Sequence, residues 1–151
     1  MNAKMPAPFG VLGISTQGDF LSGIEFLPPG TPLLDPADSF TREVCAQLGR
    51  YLEDPRFEFD LPLILSGTVF RKKVWEKISE IPAGRTRRYG EIAKELGTAA
   101  RAVGQACGAN PVPLVIPCHR VVSGSGLGGF MHHGEGHPLL IKEWLLSHES
   151  D

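Results

Sequence analysis

Ser66-Gly67-Thr68 divides this sequence into two stretches with different apolar patterns, and no single sheet or helical bundle accommodates both. Upstream, apolar runs at 9–16 and 20–27 flank Gln17-Gly18-Asp19, which reads as a hairpin with a short turn. Pro28-Pro29-Gly30 and Pro32 stop the sheet pattern. Ser39 then offers an N-cap for a helix over 40–52, with Phe40, Val44, Leu48 and Leu52 along one side, and 57–61 reads as a third strand. Downstream, Thr68 caps a helix over 69–80. Its buried stripe is Phe70, Val74, Ile78 and then Ile81, while Arg71, Lys72, Lys73 and Lys77 face outward. Pro82-Ala83-Gly84 ends that helix. The expected fold class is α/β in two parts: a small sheet with one helix over 1–65, and a mostly helical domain over 66–151.

A chain of 151 residues suffices for one domain or for two small ones sharing an interface. No apolar run approaches the roughly 20 residues that span a bilayer, and residues 1–9 lack the basic end and long apolar core of a secretory signal. A soluble, intracellular protein is expected. Cys45, Cys107 and Cys118 cannot all pair with one another, and none has the CxxC spacing of a zinc or redox site, so reduced thiols are the simpler account. Cys45 is expected on or near the buried side of its helix as a small hydrophobe.

The net charge of -2 is unevenly spread. Residues 1–70 hold four Lys/Arg against nine Asp/Glu, residues 71–101 nine against four, and residues 102–151 two against four. The basic block either attracts a phosphate backbone through counterion release or is a solvated helix face of mixed charge. Within and after it, two short helical patterns at 91–96 and 99–107 are separated by Gly97-Thr98, which fits a helix-turn-helix or a plain packing unit. The second helix is nearly bare. Ala99, Ala100, Ala102, Gly104 and Ala106 leave Arg101 as its one long charged side chain, so it either approaches a narrow groove of DNA or packs tightly inside the domain.

Asn110-Pro111-Val112-Pro113 reads as a turn, and Leu114-Val115-Ile116 as extended chain leading into Pro117-Cys118-His119-Arg120-Val121-Val122. A lone cysteine is usually structural. A nucleophilic one needs help to become thiolate, and His119 and Arg120 supply a base and a positive charge nearby. In extended chain, adjacent side chains point to opposite faces, so a direct contact between Cys118 and His119 requires a bend or a bridging water.

Several stretches together carry a family resemblance: Gly67-Thr68-Val69-Phe70 with Val74-Trp75, Ile81-Pro82-Ala83-Gly84, Tyr89-Gly90-Glu91-Ile92-Ala93, residues 99–104, residues 110–122, and Lys142-Glu143-Trp144-Leu145-Leu146-Ser147-His148-Glu149. In this order they resemble the O6-alkylguanine-DNA alkyltransferases, the methylated-DNA-protein-cysteine methyltransferases. Residues 1–65 match only in layout. The resemblance implies a ribonuclease-H-like N-terminal domain and a winged-helix-like catalytic domain that binds DNA. It also implies stoichiometric transfer of an alkyl group from O6-alkylguanine, with O4-alkylthymine as a further candidate substrate, to Cys118, which inactivates the protein.

Carried over residue by residue, the resemblance makes His119 the base acting through a water and Glu149 the group that fixes its tautomer. Asn110 braces the turn before the active-site segment. Arg101 fills the gap left by a flipped nucleotide, with Ala100, Ala102 and Gly104 on the same DNA-facing helix. Tyr89 acts on the 3′ phosphate and the base, Val121 offers a carbonyl to the guanine amino group, and Lys142 lies near the site. The base must leave the stack before its O6 substituent can be attacked, at a cost of about a few kcal/mol. No metal or cofactor is required. The implied partner is duplex DNA bearing O6-alkylguanine, with no membrane, a monomeric state, and a cytoplasmic location, or a nuclear one in a eukaryote.

Two segments depart from the family pattern. The turn at Leu96-Gly97-Thr98-Ala99 is shorter, and the glycine-rich loop over 128–138 is longer. In that loop Phe130 takes the place of the tyrosine that walls the base pocket, with Met131 beside it, which keeps an aromatic wall but removes a hydroxyl donor. His132, His133 and His137 are either exposed loop residues or, with no cysteine or clear carboxylate pattern to join them, poor metal ligands. A non-catalytic binder of alkylated bases carries tryptophan where this chain has Cys118. A transcription regulator would leave Cys118, His119 and Glu149 unexplained.

Overall fold

Three antiparallel strands in the order β1 (Ala3–Ala7), β2 (Gly10–Gln17) and β3 (Phe20–Leu27) form the sheet of the first unit. The turn between β2 and β3 is two residues long, with Gln17 paired to Phe20 and Gly18 at φ +58°, a left-handed value that glycine adopts without penalty. The computed structural model describes residues 1–131 and 137–150. The chain folds as two compact units, Met1–Ser66 and Gly67–Asp151, and the whole is a mixed α/β arrangement.

The third strand of the sheet is β1, not the expected 57–61. At Asp60 the Gln47 side chain, and not a neighbouring strand, takes both backbone groups. The Gln47 carboxamide donates to the Asp60 carbonyl at 3.1 Å and accepts the Asp60 N–H at 2.9 Å. The alternating aromatics of the segment pack on the helix instead, with Phe59 against Tyr51 at 5.6 Å between ring centres. The chain then returns to the sheet at Leu63, bridged in parallel to Leu21.

Helix α1 (Ser39–Glu53) packs on β1 and β2. Its cap is Asp38 rather than Ser39: the carboxylate accepts the Thr41 N–H at 3.0 Å and the Thr41 hydroxyl at 2.6 Å, a cap worth about 1 kcal/mol. The buried face is Thr41, Val44, Gln47, Leu48 and Tyr51. It is rotated from the expected stripe, so that Phe40 and Leu52 are only half-buried. Each fully buried apolar side chain on this face stabilises the unit by about 1.5–3 kcal/mol. Cys45 is half-buried, and burial pushes its thiol pKa up.

In the second unit, α2 (Val69–Ile78) begins as expected, with the Thr68 hydroxyl accepting the Arg71 N–H at 3.1 Å. It stops before Glu80, and its buried residues are Val74, Trp75 and Ile78, while Phe70 is exposed. Trp75 supplies the bulk that Phe70 was expected to supply, and its indole N–H donates to the Ala106 carbonyl at 2.8 Å. The basic stretch that follows contains β4 (Arg87–Arg88), which pairs in parallel with β5 (Val121–Val122), a ladder the sequence pattern does not reveal.

Next come α3 (Tyr89–Leu96) and α4 (Ala100–Gly108), which pack on each other across Gly97 at φ +68°. α3 starts earlier than expected because the Glu91 carboxylate accepts the Arg88 N–H at 3.2 Å. The final helix, α5 (His137–Glu149), buries Ile141, Lys142, Leu145 and Glu149. Among the described residues, no helix is long and apolar enough to cross a membrane.

Candidate active site

The segment before the thiol is not extended. Leu114 has φ +77°, and the Ile116 N–H reaches back to the Val112 carbonyl at 3.0 Å, so 112–116 forms a tight turn. The Asn110 side chain imposes that shape. Its Oδ1 accepts the Val112 N–H at 2.9 Å, its Nδ2 donates to the Ile116 carbonyl at 2.8 Å, and the same Nδ2 lies 3.2 Å from Cys118 Sγ. The strained φ of Leu114 is offset by its nearly complete burial.

Cys118–Arg120 is one turn of 3-10 helix, closed by the Arg120 N–H to the Pro117 carbonyl and the Val121 N–H to the Cys118 carbonyl, and preceded by a Cys118 N–H bond to the Ile116 carbonyl. The expectation that His119 and Cys118 point to opposite faces of a strand is therefore corrected, because successive side chains of a 3-10 turn diverge by about a third of a revolution. His119 is fully buried, with Nε2 2.8 Å from Glu149 Oε2. Arg120 does not serve the thiol as expected. Its guanidinium grips Glu149 with Nε on Oε1 and Nη2 on Oε2, both at 2.9 Å, and donates to the Ile81 carbonyl at 2.7 Å.

The electrostatics follow from burial. Desolvation raises the Cys118 pKa well above the ordinary thiol value, and neighbouring Cys107 raises it further, while the Asn110 hydrogen bond and the Lys142 charge act in the opposite sense. At rest the sulfur is a thiol, and it needs a base. Desolvation lowers the His119 pKa, only partly opposed by Glu149, which keeps the imidazole neutral. A carboxylate on Nε2 fixes the proton there and leaves Nδ1 as a lone-pair acceptor. That Nδ1 is buried and has no hydrogen-bond partner among the described residues.

Lys142 is fully buried, and burial lowers its pKa to about 8. Its ammonium donates to the carbonyls of Val121 at 2.8 Å, Leu127 at 2.5 Å and Gly129 at 2.8 Å, and approaches the Tyr89 hydroxyl at 3.4 Å. Tyr89 also donates to the Gly129 carbonyl at 3.3 Å, and burial pushes its pKa up. The Val121 carbonyl, expected to face a base, thus already accepts one strong donor.

A cavity of about 420 Å³ opens over Cys118, lined by Tyr89, Ala100, Arg101, Gly104, Gln105, Cys107, Gly108, Gly129, Phe130 and Met131. This size lies at the lower end of small-molecule sites. Of the expected residues, Tyr89, Ala100, Arg101, Gly104, Cys118, Phe130 and Met131 line it. Asn110, His119 and Glu149 are buried, with Asn110 in contact with the sulfur. Ala102 and Val121 are not among its lining residues. Sequence reasoning missed Gln105, Cys107 and Gly108. Gly104, Gln105 and Gly108 lie at i+3, i+4 and i+7 from Arg101, and Cys107 at i+7 from Ala100, so the helical period was the available signal. His132 and His133 lie outside the described residues, and His137 is exposed at the first position of α5. Among the described residues, no group of three His, Cys, Asp or Glu side chains could hold a metal ion.

Residues 69–151 match the family model of the 6-O-methylguanine DNA methyltransferase DNA-binding domain. This match covers more than half of the chain. The chain belongs to the 6-O-methylguanine DNA methyltransferase family. A methylated-DNA–protein-cysteine methyltransferase of Methanosarcina acetivorans is 38% identical over 97% of this chain and 96% of its own length. The O6-methylguanine methyltransferase of Mycobacterium tuberculosis is similar in structure, with a TM-score of 0.80 and 36% identity over 97% of this chain and 90% of that one. The same enzyme in complex with DNA gives a TM-score of 0.79 at 36% identity over the same shares. The family likeness thus extends through the first unit, whose sequence motifs are the less specific ones.

Proposed function

We propose that this chain repairs alkylated DNA by moving the alkyl group of an O6-alkylguanine onto Cys118 in a single turnover. The observation that carries this reading is a buried thiol at a base-sized cavity whose rim holds Arg101, followed in the chain by a neutral histidine that a carboxylate orients. His119 takes the thiol proton through a water at Nδ1, and the thiolate attacks the alkyl carbon. The carbon–oxygen bond breaks, its electron pair leaves with guanine, and a thioether remains that no group in the site can cleave. Asn110 donates to the sulfur as charge develops on it, a role beyond bracing the turn.

Arg101 and the small residues Ala100 and Gly104 suit α4 to close approach to a duplex, with Arg101 filling the space of the extruded nucleotide. Ala102 supports that approach without reaching the cavity. Tyr89, Phe130 and Met131 form the walls of the base pocket, and Phe130 offers packing without a donor to the leaving guanine. Lys142 ties β5 to the loop carrying Gly129, and the Val121 carbonyl meets the guanine amino group. In the finer description, residues 1–65 correspond to the ribonuclease-H-like domain and 66–151 to the winged-helix-like catalytic domain. Duplex DNA is the partner, and a cytoplasmic monomer suits the role.

The test is intact-protein mass after mixing with duplex DNA carrying one O6-methylguanine. One methyl group on the peptide containing Cys118, together with restored guanine, is expected. Binding without methyl transfer would favour a non-catalytic binder, and repair by Cys118→Ala would refute the mechanism.

A further inference from the structure

Glu149 is held by two neighbouring residues of one 3-10 turn, and they ask different things of it. His119 takes one contact, at 2.8 Å to Oε2. Arg120 takes two in a fork, at 2.9 Å to each oxygen, and is itself anchored on the Ile81 carbonyl at 2.7 Å. The carboxylate is 1% exposed, so its charge needs a counter-charge inside the protein. Guanidinium does not lose its proton in proteins, and a planar fork matches a carboxylate in both geometry and charge.

Without that fork, the imidazole, 2.8 Å from the carboxylate, is a neighbouring group that can gain positive charge by taking up a proton. A carboxylate paired in this way with histidine draws a second proton onto the ring, at Nδ1, and the lone pair that accepts the thiol proton disappears. With the fork in place, Glu149 hydrogen-bonds Nε2 and leaves Nδ1 unprotonated. We propose that Arg120 is a positioning residue that neutralises Glu149, so that the carboxylate orients His119 without making it an imidazolium. The inference rests on the reading of His119 as the base.

The other groups facing the imidazole agree with this role. From α5 come Glu149 and Lys142, and from the turn itself Arg120. α2 also packs on the turn, and its buried residues Val74, Trp75 and Ile78 do not titrate. Both Arg120 and Lys142 act to lower the His119 pKa, against the raising effect of Glu149, while burial dominates. Lys142 is committed to three carbonyls and has no contact with Glu149 among its hydrogen bonds, so it does not replace the fork.

The experiment follows His119 directly by NMR titration of its ring, in the full chain, beside the pH dependence of alkylation by free O6-benzylguanine. Arg120→Met is expected to raise the His119 pKa and to move the acid limb of the rate profile up by about one pH unit, which is about a tenfold loss on that limb, with recovery at higher pH. Arg120→Lys keeps a cation and leaves the ring neutral. Arg120→Met with Glu149→Gln removes both charges, and the raised pKa returns to the wild-type value. If Arg120→Met does not fold, Arg120→Gln carries the same readouts. An unchanged His119 pKa in a folded neutral variant would overturn the proposal, as would a rate loss of equal size at every pH, the mark of a purely structural residue. Failure of the wild-type chain to alkylate Cys118 would refute the repair reading instead, and the ring titration would still decide the role of Arg120.

Discussion

The Asn110 carboxamide nitrogen lies 3.2 Å from the Cys118 sulfur while the same side chain closes the turn that presents it. Geometry and charge stabilisation are therefore joined in one residue. Asn110→Leu strands the buried Val112 N–H, at about 1–3 kcal/mol for an unsatisfied group, and removes a donor to the thiolate, while the Ile116 carbonyl keeps the Cys118 N–H. Asn110→Asp keeps the acceptor for Val112 but puts a carboxylate beside a developing anion. Denaturation and benzylguanine kinetics should thus rank the two variants in opposite orders, with Leu the less stable and Asp the slower. Equal ranking on both scales would separate the sulfur contact from catalysis.

Gly128 packs its backbone directly against Tyr89. It has φ +75°, and a Cβ there would stand 2.7 Å from Tyr89 Cε2 and 3.1 Å from its hydroxyl. Gly128→Ala therefore carries a backbone cost of about 1–3 kcal/mol and a steric one that displaces Tyr89. In a Tyr89→Ala background the clash with Tyr89 should vanish, leaving the backbone cost and a 3.3 Å contact with the Ser123 nitrogen. A double-mutant cycle on stability measures this, and strict additivity would show that Tyr89 yields freely.

Acid should weaken the fold through His119. Burial holds its folded pKa below that of the unfolded chain, which is about 6.5. Below that value the unfolded state binds the extra proton, so stability is full above pH ~6.5 and falls as pH drops toward the folded pKa. Urea midpoints measured from pH 8 to pH 5 should decline for the wild type and decline less for His119→Gln. Parallel curves would assign the loss to other groups.

Trp75 ties α2 to the last turn of α4 through the Ala106 carbonyl, next to the cavity-lining Cys107. Trp75→Phe should lose about 1 kcal/mol from the hydrogen bond alone, plus the packing of the larger ring. Gly67→Ala, whose Cβ would stand 2.7 Å from the indole Cη2, should destabilise the wild type more than it destabilises Trp75→Phe. Thermal unfolding of the four proteins checks both statements.

How much of this was legible in the sequence depends on the range of the interaction that decides each element. The β2–β3 hairpin and the Thr68 cap are set by residues within a few positions, and both were readable. Strand 57–61 was not, because the alternation of Phe57, Phe59 and Leu61 is the same whether a strand or Gln47 satisfies the backbone, and Gln47 is thirteen positions away. The turn at Leu114 was hidden for a similar reason, since leucine gives no sign of positive φ and the Asn110 side chain dictates it. Cys118 and His119 were singled out from their neighbours and Glu149 through the family resemblance, and His119 and Glu149 lie in contact. The Arg120 fork was missed because nothing in the spacing of Arg120 and Glu149 says which of two adjacent residues the carboxylate will favour.

The pairing of His119 with Glu149 spans thirty residues, and this has a consequence in time. At roughly 5–20 residues per second of synthesis, the nucleophile is made about 2–6 s before the carboxylate that orients its base. A nascent chain therefore carries an unassembled thiol whose base has no fixed tautomer. The site is therefore assembled only once the last turn of α5 has been made.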